Sequence, residues 1–372
     1  MKHILLSFFL FGFVFLNLLA NTDAAYLKIE EIRYDENIRF PYIVSENPAM
    51  DNVADKINKR LQSIIFYSDE EIINKSNLNS IEQHLFIRND EIDQSGISQL
   101  DYTCKIYTRF LEVVIDIDWA GGPYPVGAET DYLYFELQTG EYITLPDLID
   151  GTKYFDFIKT FWLEECSISI RESHQCAHGN DTDDYDSKEA YTLDGPCEFQ
   201  CHKISNGLKL SLDTIQISNN SNCFPHVWQN CNYGASKHIK VELIKSYLSG
   251  FGKWIFGIEN TYKPVEEVFH FVGKVDGKYK ISMTIFATNE TLMKGTYFYW
   301  SQNKKIPVDG QVISETLYLN EFSNNELTAS FELEWDDFLY STEGFWENKK
   351  TNKKLPVNIM VIYDYRDRNY HR

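Results

Sequence analysis

The chain has 372 residues, a length that suits two or three folded domains. It carries 55 acidic and 35 basic side chains, which gives a formal net charge of -20 at pH 7. Nucleic acid is disfavoured as a partner, because basic side chains drive that kind of binding. A cationic partner is favoured, because the field of the whole protein would attract it.

The first 25 residues predict a secretory signal peptide. Lys2 gives a basic start, residues 4–19 form an apolar run, and Ala24 and Ala25 offer a cleavage site. The apolar run is short for a membrane span, and no later segment is apolar enough to be one. We therefore expect a mature chain that is secreted or periplasmic and has no transmembrane segment.

Strands and helices alternate in the region that follows. Apolar residues at every second position predict strands, and the four-residue spacing of Val53, Ile57 and Leu61 predicts a helix that Asn47 caps. The predicted segments are strand 26–42, helix 47–66, strand 102–119, hairpin 130–145, helix 146–165, strands over 205–217, and a strand that leads into a short helix ending near Gly250 over 237–250.

Six of the seven cysteines lie close together, namely Cys166, Cys176, Cys197, Cys201, Cys223 and Cys231. In an oxidising compartment they predict a disulfide-linked insertion over 166–231, with the pairing left open. Cys104 would then be a buried free thiol, unless it replaces one of the six. His174, His178, His202 and His226 could join these cysteines on zinc. The spacing matches no standard zinc module, so we predict disulfides, no metal and no cofactor.

The last hundred residues predict an all-β barrel or sandwich over 265–372, after a linker at 257–267. Alternating strands there are separated by turn signals every eight to twelve residues. The predicted turns are Asp276-Gly277, Asn289-Glu290, Gln302-Asn303 and Asp309-Gly310. The predicted fold class is therefore α+β, with a mixed sheet and packed helices over 26–255, followed by an all-β domain.

The stretch WAGGPYPVG interrupts the sheet after residue 118. Its glycines permit backbone angles that other residues avoid, and its prolines stiffen the chain. A rigid aromatic loop at a strand end is a candidate binding surface, and an ordered structural crossover is the alternative. The candidate binding residues are Trp119, Gly121, Gly122, Pro123, Tyr124 and Pro125.

A catalytic site is not predicted. Asp116 and Asp118 share one strand face beside Trp119, roughly 6–7 Å apart, which is within the range of a glycosidase pair. Exposed acidic residues are expected on any protein this acidic, and neither a Gly-x-Ser-x-Gly nor a His-Glu-x-x-His motif is present. An enzyme that acts on envelope polysaccharide therefore stands as an alternative only.

Residues 119–148 resemble the RsiV-like extracytoplasmic family. That family includes the lysozyme-sensing domain of an anti-sigma factor and the region ahead of the catalytic domain in a peptidoglycan deacetylase. The matching residues are Gly121, Gly122, Pro125, Thr139, Gly140, Ile143, Leu145, Asp147 and Leu148. Pro123-Tyr124 replaces the family's Ala-His pair, so no imidazole can act there, and the deacetylase's catalytic domain is missing. The C-terminal part resembles a small β module of secreted bacterial proteins.

The RsiV-like resemblance covers about residues 26–250 and implies an extracytoplasmic α+β domain. Together with the charge, it predicts a secreted binding module that engages a cell-envelope component or a lysozyme-like protein. The expected partner is a cationic protein such as a lysozyme, or an envelope glycan. A structural surface protein is a further alternative.

Overall fold

The computed structural model describes residues 26–66, 72–78, 81, 85, 96–120, 127–178, 199–202, 207–219, 231, 233–289, 291–302, 304–324, 326–335 and 341–364. These residues form two compact units, divided between Ile143 and Thr144. Each unit contains a hydrophobic core of its own. Compact units are defined by contacts and not by independent folding, so the predicted domains 26–255 and 265–372 stay a prediction.

The first unit contains a two-stranded sheet, a helix and a three-stranded sheet, and both sheets are antiparallel. Its elements are β1 Leu27–Arg33, β2 Arg39–Ser45, a 3-10 turn Pro48–Met50, α1 Asp51–Phe66, β3 Gly96–Ile106, β4 Phe110–Ala120 and β5 Gly127–Glu136. The predicted helix is confirmed. The segments 26–42 and 102–119 are sheet as predicted, but each spans a turn between two antiparallel strands, β1 with β2 and β3 with β4.

Helix α1 packs on the unit's core through the apolar face that its sequence predicts. Asn47 caps the preceding turn, and Ile57 and Leu61 are fully buried. The side chain of Asn58 accepts a hydrogen bond from the Ile43 backbone N–H and donates one to the Ile43 carbonyl, each at 2.7 Å. This pair of bonds fixes the helix against β2.

The predicted hairpin over 130–145 forms with a shortened return limb. Beyond Glu136 the pairing with β5 continues as a single bridge between Phe135 and Tyr142. The Glu136 carboxylate is buried and accepts hydrogen bonds from the backbone N–H groups of Gln138 and Thr139, at 2.9 and 2.6 Å. The turn is thus held by a side chain, and a long second strand is not needed.

The second unit begins with short helices and a small antiparallel sheet. These elements are α2 Leu145–Leu148, a 3-10 turn Gly151–Lys153, α3 Tyr154–Phe161, α4 Leu163–His178, a 3-10 turn Gln200–His202, β6 Leu208–Leu210, β7 Thr214–Asn219, β8 Ala235–Lys240, α5 Val241–Ile244 and α6 Gly250–Ile255.

Two sequence predictions in this part are corrected. The single helix expected over 146–165 is broken, because Ile149 is extended and Asp150 starts a new turn by accepting a hydrogen bond from Thr152 N–H. The helix expected to end near Gly250 stops at Ile244. Gly250 instead begins α6, which Ser249 caps through its hydroxyl.

The rest of the second unit is a closed barrel of eight antiparallel strands, in which the last strand pairs with the first. The strands are β9 Val268–Val275, β10 Tyr279–Ala287, β11 Leu292–Tyr299, β12 Ile306–Ile313, β13 Thr316–Ser323, β14 Glu326–Glu334, β15 Ser341–Asn348 and β16 Lys354–Asp364. The barrel interior is filled by apolar side chains. The predicted fold class, α+β followed by an all-β barrel, is confirmed.

Of two barrel turns predicted from an Asp-Gly pair, one is confirmed and one is wrong. Asp276 and Gly277 have φ of 57° and 66° and form the expected tight turn. Asp309-Gly310 lies inside β12, and the chain turns later at Ser314 and Glu315. Gly310 is there because a Cβ would collide with the backbone carbonyl of Tyr318 on the neighbouring strand. It marks a close approach of two strands and not a turn.

Two disulfides link the parts of the cysteine-rich region. Cys166 pairs with Cys201 and Cys176 pairs with Cys231, so four of the predicted disulfide cysteines are confirmed. Cys197 and Cys223 lie outside the described residues. Disulfides form and persist in oxidising compartments, which agrees with the predicted extracytoplasmic location. Within the described ranges, the helices are all too short or too polar to cross a membrane.

Cys104 is a free thiol on β3, as predicted. Its side chain is largely buried against the core of the first unit, and this burial raises the pKa of the thiol to about 12. Because the thiolate is the reactive form, this cysteine is expected to be inert.

Candidate binding groove

The loop that the sequence singles out is only partly visible. Trp119 is the next-to-last residue of β4, is half-buried and packs against the core of the first unit. Gly121, Gly122, Pro123, Tyr124 and Pro125 lie outside the described residues. The loop as a binding surface therefore stays a prediction.

Asp116 and Asp118 lie on the outer face of β4, as the alternation predicts. Asp116 is exposed and accepts a hydrogen bond of 2.7 Å from the Thr130 hydroxyl. On the neighbouring strand, Asp101 pairs with Arg39 at 2.6 Å, and this charged hydrogen bond lowers the pKa of Asp101. The carboxylates of Asp101 and Asp116 are thus engaged with neighbours on an open sheet face, as expected of an acidic surface.

Asp131 lies where burial and a nearby like charge disfavour its ionised carboxylate. It is half-buried on β5, where desolvation and the nearby Glu129 raise its pKa from 3.8 to about 6. The native state then binds more protons than the unfolded state between these values, so stability should fall as pH rises from about 4 to about 6.

We expect Asp131→Asn to raise the free energy of unfolding at pH 7 by about 2–3 kcal/mol, because it removes a desolvated charge. Amide hydrogen exchange of β4 and β5 at pH 5 and pH 7 would measure this locally. Asp116→Asn is the matched control on the neighbouring strand. Equal pH dependence of stability in wild type and Asp131→Asn would contradict the prediction.

The outer surface of the barrel carries a cleft of about 540 Å³. It is lined by Phe199, Lys274, Gly277, Glu334, Glu343, Gly344, Phe345, Pro356, Val357 and Asn358. Apart from Phe199, which precedes the 3-10 turn at 200–202, these residues come from strands β9, β14, β15 and β16 and the β9–β10 turn. We call this the barrel cleft.

Strand register places the polar side chains of the barrel cleft in one row. Lys274 lies opposite Asn358, and Asn358 lies opposite Glu343, so the row crosses three strands. Glu334 extends the row onto β14, since its neighbour Leu333 pairs with Gly344. Side chains that are far apart in sequence therefore converge because the barrel closes between β16 and β9.

The next row of the barrel cleft is aromatic. Phe345 lies opposite Pro356 and remains 45% exposed, an unusual state for a phenylalanine in a strand. Lys354 places its Nζ 4.1 Å from the centre of the Phe345 ring. Between Glu343 and Phe345 stands Gly344, where a Cβ would collide with the carbonyl of Glu332, so glycine lets β15 lie close to β14.

The barrel cleft carries more negative than positive charge, because it is lined by two carboxylates and one lysine, Lys274. Glu343 accepts a hydrogen bond of 3.2 Å from the Asn358 amide. Among the described residues, Glu334 and Glu343 form no ion pair. Two carboxylates beside an exposed ring provide both a counter-charge and a π-face for a cation.

A second cluster lies buried where the short helices of the second unit meet its barrel. It consists of Tyr154, Phe155, His202, His270 and Trp300, and we call it the histidine interface. His270 stacks on Tyr154 with ring centres 4.2 Å apart, and His202 lies 5.0 Å from the Trp300 ring. Phe155 contacts both imidazoles.

Both imidazoles of the histidine interface are neutral at pH 7. His270 is fully buried and His202 is 4% exposed. Loss of hydration lowers the pKa of His202 to about 4 and that of His270 to about 3. Nδ1 of His270 lies 3.0 Å from the Thr284 hydroxyl, whereas its Nε2 and the Nδ1 of His202 have no hydrogen-bond partner in the part of the chain described.

Asp147, one of the residues that match the RsiV-like family, has a structural role. It is buried, and it accepts hydrogen bonds of 2.7 Å from both the backbone N–H and the hydroxyl of Thr144. Its other oxygen accepts a hydrogen bond of 2.5 Å from the hydroxyl of Tyr363 on β16. This carboxylate therefore connects α2 to the barrel.

Several of the cysteines considered as zinc ligands form disulfides. Cys176 and Cys201 are bonded to other cysteines, so their sulfurs are not thiolate ligands. Across the described ranges, no three His, Cys, Asp or Glu side chains are grouped to hold a metal ion.

Sequence reasoning missed the barrel cleft. The sequence predicts an all-β domain up to residue 372, but its turn signals do not place individual strands around Glu343, Phe345 and Asn358. One signal was available, because in STEGFWEN a glycine stands inside an alternating segment, between Glu343 and Phe345. A glycine in a strand interior often marks a close backbone approach.

Comparison with known proteins gives weak structural similarity. No protein-family model matches the chain, and a search of curated proteins finds no match. The crystal structure of a DUF3298 family member from Bacteroides fragilis is 14% identical, with 63% of this chain and 98% of that chain covered and a TM-score of 0.41. A DUF3298 family protein from Pseudomonas aeruginosa PAO1 is 9% identical, with 60% and 94% covered and a TM-score of 0.31. Neither similarity identifies a function for this chain.

Proposed function

We propose that the chain is a secreted or periplasmic binding module whose barrel cleft holds a cationic segment of an envelope protein or a lysozyme-like protein. The observation that carries the proposal is the cleft itself, in which two carboxylates outnumber the one lysine and lie beside an exposed phenylalanine. The predicted signal peptide and the two disulfides support an extracytoplasmic location.

The chemistry of the barrel cleft suits a lysine or arginine side chain. Glu334 and Glu343 would neutralise the charge, and Phe345 would offer its ring face. The chain's own Lys354 already makes such a contact with this ring. A neutral sugar would use the ring and the amide of Asn358, but it would gain little from the carboxylates' charge.

The charge of the whole chain supports the same ligand class. A net charge of -20 speeds the encounter with a basic protein and does little for a neutral one. Because exposed charges are screened beyond roughly 8 Å at physiological salt, the association rate should fall as salt rises. Contacts inside the cleft should keep the dissociation rate nearly constant.

The test is binding of a basic lysozyme to immobilised residues 26–372 at several salt concentrations. We expect Glu334→Gln with Glu343→Gln to weaken binding by about tenfold or more, since both charges act at short range. The matched control is Asp309→Asn with Glu326→Gln, which removes the same net charge from exposed positions outside the cleft. It should change affinity by less than about threefold, mainly in the association rate.

Two results would contradict this function. Equal losses in the cleft variant and in the control would show that only net charge matters. Absence of lysozyme binding even at low salt, together with binding of envelope oligosaccharides, would replace the cationic ligand by a glycan.

A further inference from the structure

We infer that acid pH releases the ligand of the barrel cleft, because protonation of His202 and His270 separates the turn that carries Phe199 from the barrel. The inference rests on the proposed function of the cleft and adds its regulation. With this regulation, the module would bind its ligand at neutral pH and release it in an acidified compartment.

Phe199 contacts both the barrel cleft and the histidine interface. It lines the barrel cleft, and its ring lies 6.5 Å from the His202 ring and 6.0 Å from the Trp300 ring. His202 follows three residues later, in the 3-10 turn Gln200–His202. Any movement of this turn away from the barrel therefore removes one wall of the cleft.

A proton on either imidazole would be a buried charge. His202 Nδ1 and His270 Nε2 are the ring nitrogens without a hydrogen-bond partner in the part of the chain described, and each would need an acceptor once protonated. An unpaired charge in such surroundings is costly, so separation and hydration become favourable. Two such groups in one interface act in the same direction.

The groups that face the imidazoles are almost all uncharged. Around His270 these are Tyr154 and Phe155 from α3, Thr284 from β10, and Tyr363 from β16 at 6.0 Å. Around His202 these are Phe155, Phe199 and Trp300. Two charged groups of the described residues contact these rings' neighbours: Asp147 behind Tyr363, and Lys280 over the Trp300 ring at 5.7 Å.

Other charged groups of the same elements have their own partners. Glu266 accepts a hydrogen bond from Gly151 N–H, and Lys305 pairs with Asp156 at 3.1 Å. Lys153 pairs with Asp150 at 3.3 Å. In the described part of the chain, no carboxylate therefore lies against either imidazole to stabilise its cation.

The direction of the pH dependence follows from the depressed pKa values. In the closed interface they are about 4 and about 3, against 6.5 for an exposed histidine, so the separated state takes up protons first as pH falls. The closed interface therefore has its full stability above pH 6.5 and loses stability as the pH falls below 6.5. Between pH 7 and pH 5 the ratio of separated to closed interface should rise about 20-fold for one histidine and a few hundred-fold for both.

A disulfide decides which part moves. Cys201, next to His202, is bonded to Cys166 on α4. The turn therefore stays attached to the helices when it leaves the barrel, and Phe199 is carried away with it. The barrel residues of the cleft keep their positions.

The test has two arms on residues 26–372. The first is amide hydrogen exchange of residues 199–202 and β10 at pH 7 and pH 5 without ligand, corrected for intrinsic exchange. The second is affinity for a basic lysozyme at the same two pH values. We expect wild type to lose protection in the first arm. In the second arm its affinity should fall in proportion to the closed fraction, by about tenfold when nine-tenths of the interface is separated at pH 5.

His202→Phe with His270→Gln is the informative variant, because phenylalanine fills the aromatic site and glutamine can still bond to Thr284. We expect it to match wild type at pH 7 and to keep protection and affinity at pH 5. His238→Gln, at an exposed histidine on β8, is the matched control and should behave as wild type. If the double variant does not fold, each single variant should show a smaller loss of protection and affinity between pH 7 and pH 5 than wild type.

The outcomes separate the two proposals. Unchanged protection of residues 199–202 at pH 5 in wild type would overturn the inference, whatever binds to the cleft. An equal loss of affinity at pH 5 in wild type and in the double variant would also overturn it. Absence of lysozyme binding at pH 7 would refute the proposed function instead, while the exchange arm would still test the interface.

Discussion

Replacement of Asp147 by alanine is expected to lower the free energy of unfolding of the second unit by about 3–5 kcal/mol. The substitution removes the acceptor for three hydrogen bonds, two from Thr144 and one from the Tyr363 hydroxyl. Tyr363 is 8% exposed, so water cannot readily replace the lost acceptor. The helix cap and the connection between α2 and β16 are lost together.

Urea unfolding followed by tryptophan fluorescence measures this change. Tyr363→Phe is the matched variant, because it deletes one donor and leaves Asp147 with Thr144. It should lower stability by about 1–2 kcal/mol. A loss below 1 kcal/mol for Asp147→Ala would show that this buried carboxylate does not connect the helix to the barrel.

Removal of the Cys166–Cys201 disulfide is expected to lower the free energy of unfolding by about 4 kcal/mol. The bond closes a loop with a sequence separation of 35 residues, which restricts the unfolded chain strongly. It also holds the turn of His202 and Phe199 to α4. Both cysteines are replaced by alanine, so that no single thiol is left to exchange with the second disulfide.

Cys104→Ala provides the control for that experiment. Cys104 is a free, half-buried thiol in the first unit, so its loss removes one small side chain and no cross-link. We expect an effect of about 1 kcal/mol or less. Similar destabilisation by the two sets of substitutions would contradict a cross-linking role for Cys166 and Cys201.

Local sequence patterns predict much of this fold. Strands β9 and β10 flank the predicted turn at Asp276-Gly277, because one face of each strand packs into the barrel and the turn allows φ above zero. Helix α1 follows from a cap and a four-residue spacing. In these elements the periodic burial and the local turn chemistry agree.

Tertiary contacts decide the elements that were predicted wrongly. The helix expected over 146–165 is interrupted where the side chain of Asp150 caps a new turn. Gly310 resembles a turn residue but serves the contact with Tyr318. The disulfide partners and the buried histidines depend on how distant segments pack, and periodicity contains no such information.

The barrel cleft belongs to this second group. Its carboxylates and its aromatic ring come from strands that meet only when the barrel closes. Strand register then decides that Glu343 faces Asn358 and that Phe345 faces Pro356. A single chain gives Glu343 and Phe345 no distinguishing mark other than the glycine between them.

The central claim is that the ligand occupies the barrel cleft and not the loop after β4. Hydrogen exchange with mass spectrometry, on residues 26–372 with and without saturating basic lysozyme at pH 7, tests it most directly. We predict protection of residues 341–348 and 354–358 on ligand binding. Protection confined to residues 119–125, with β15 and β16 unchanged, would contradict the claim.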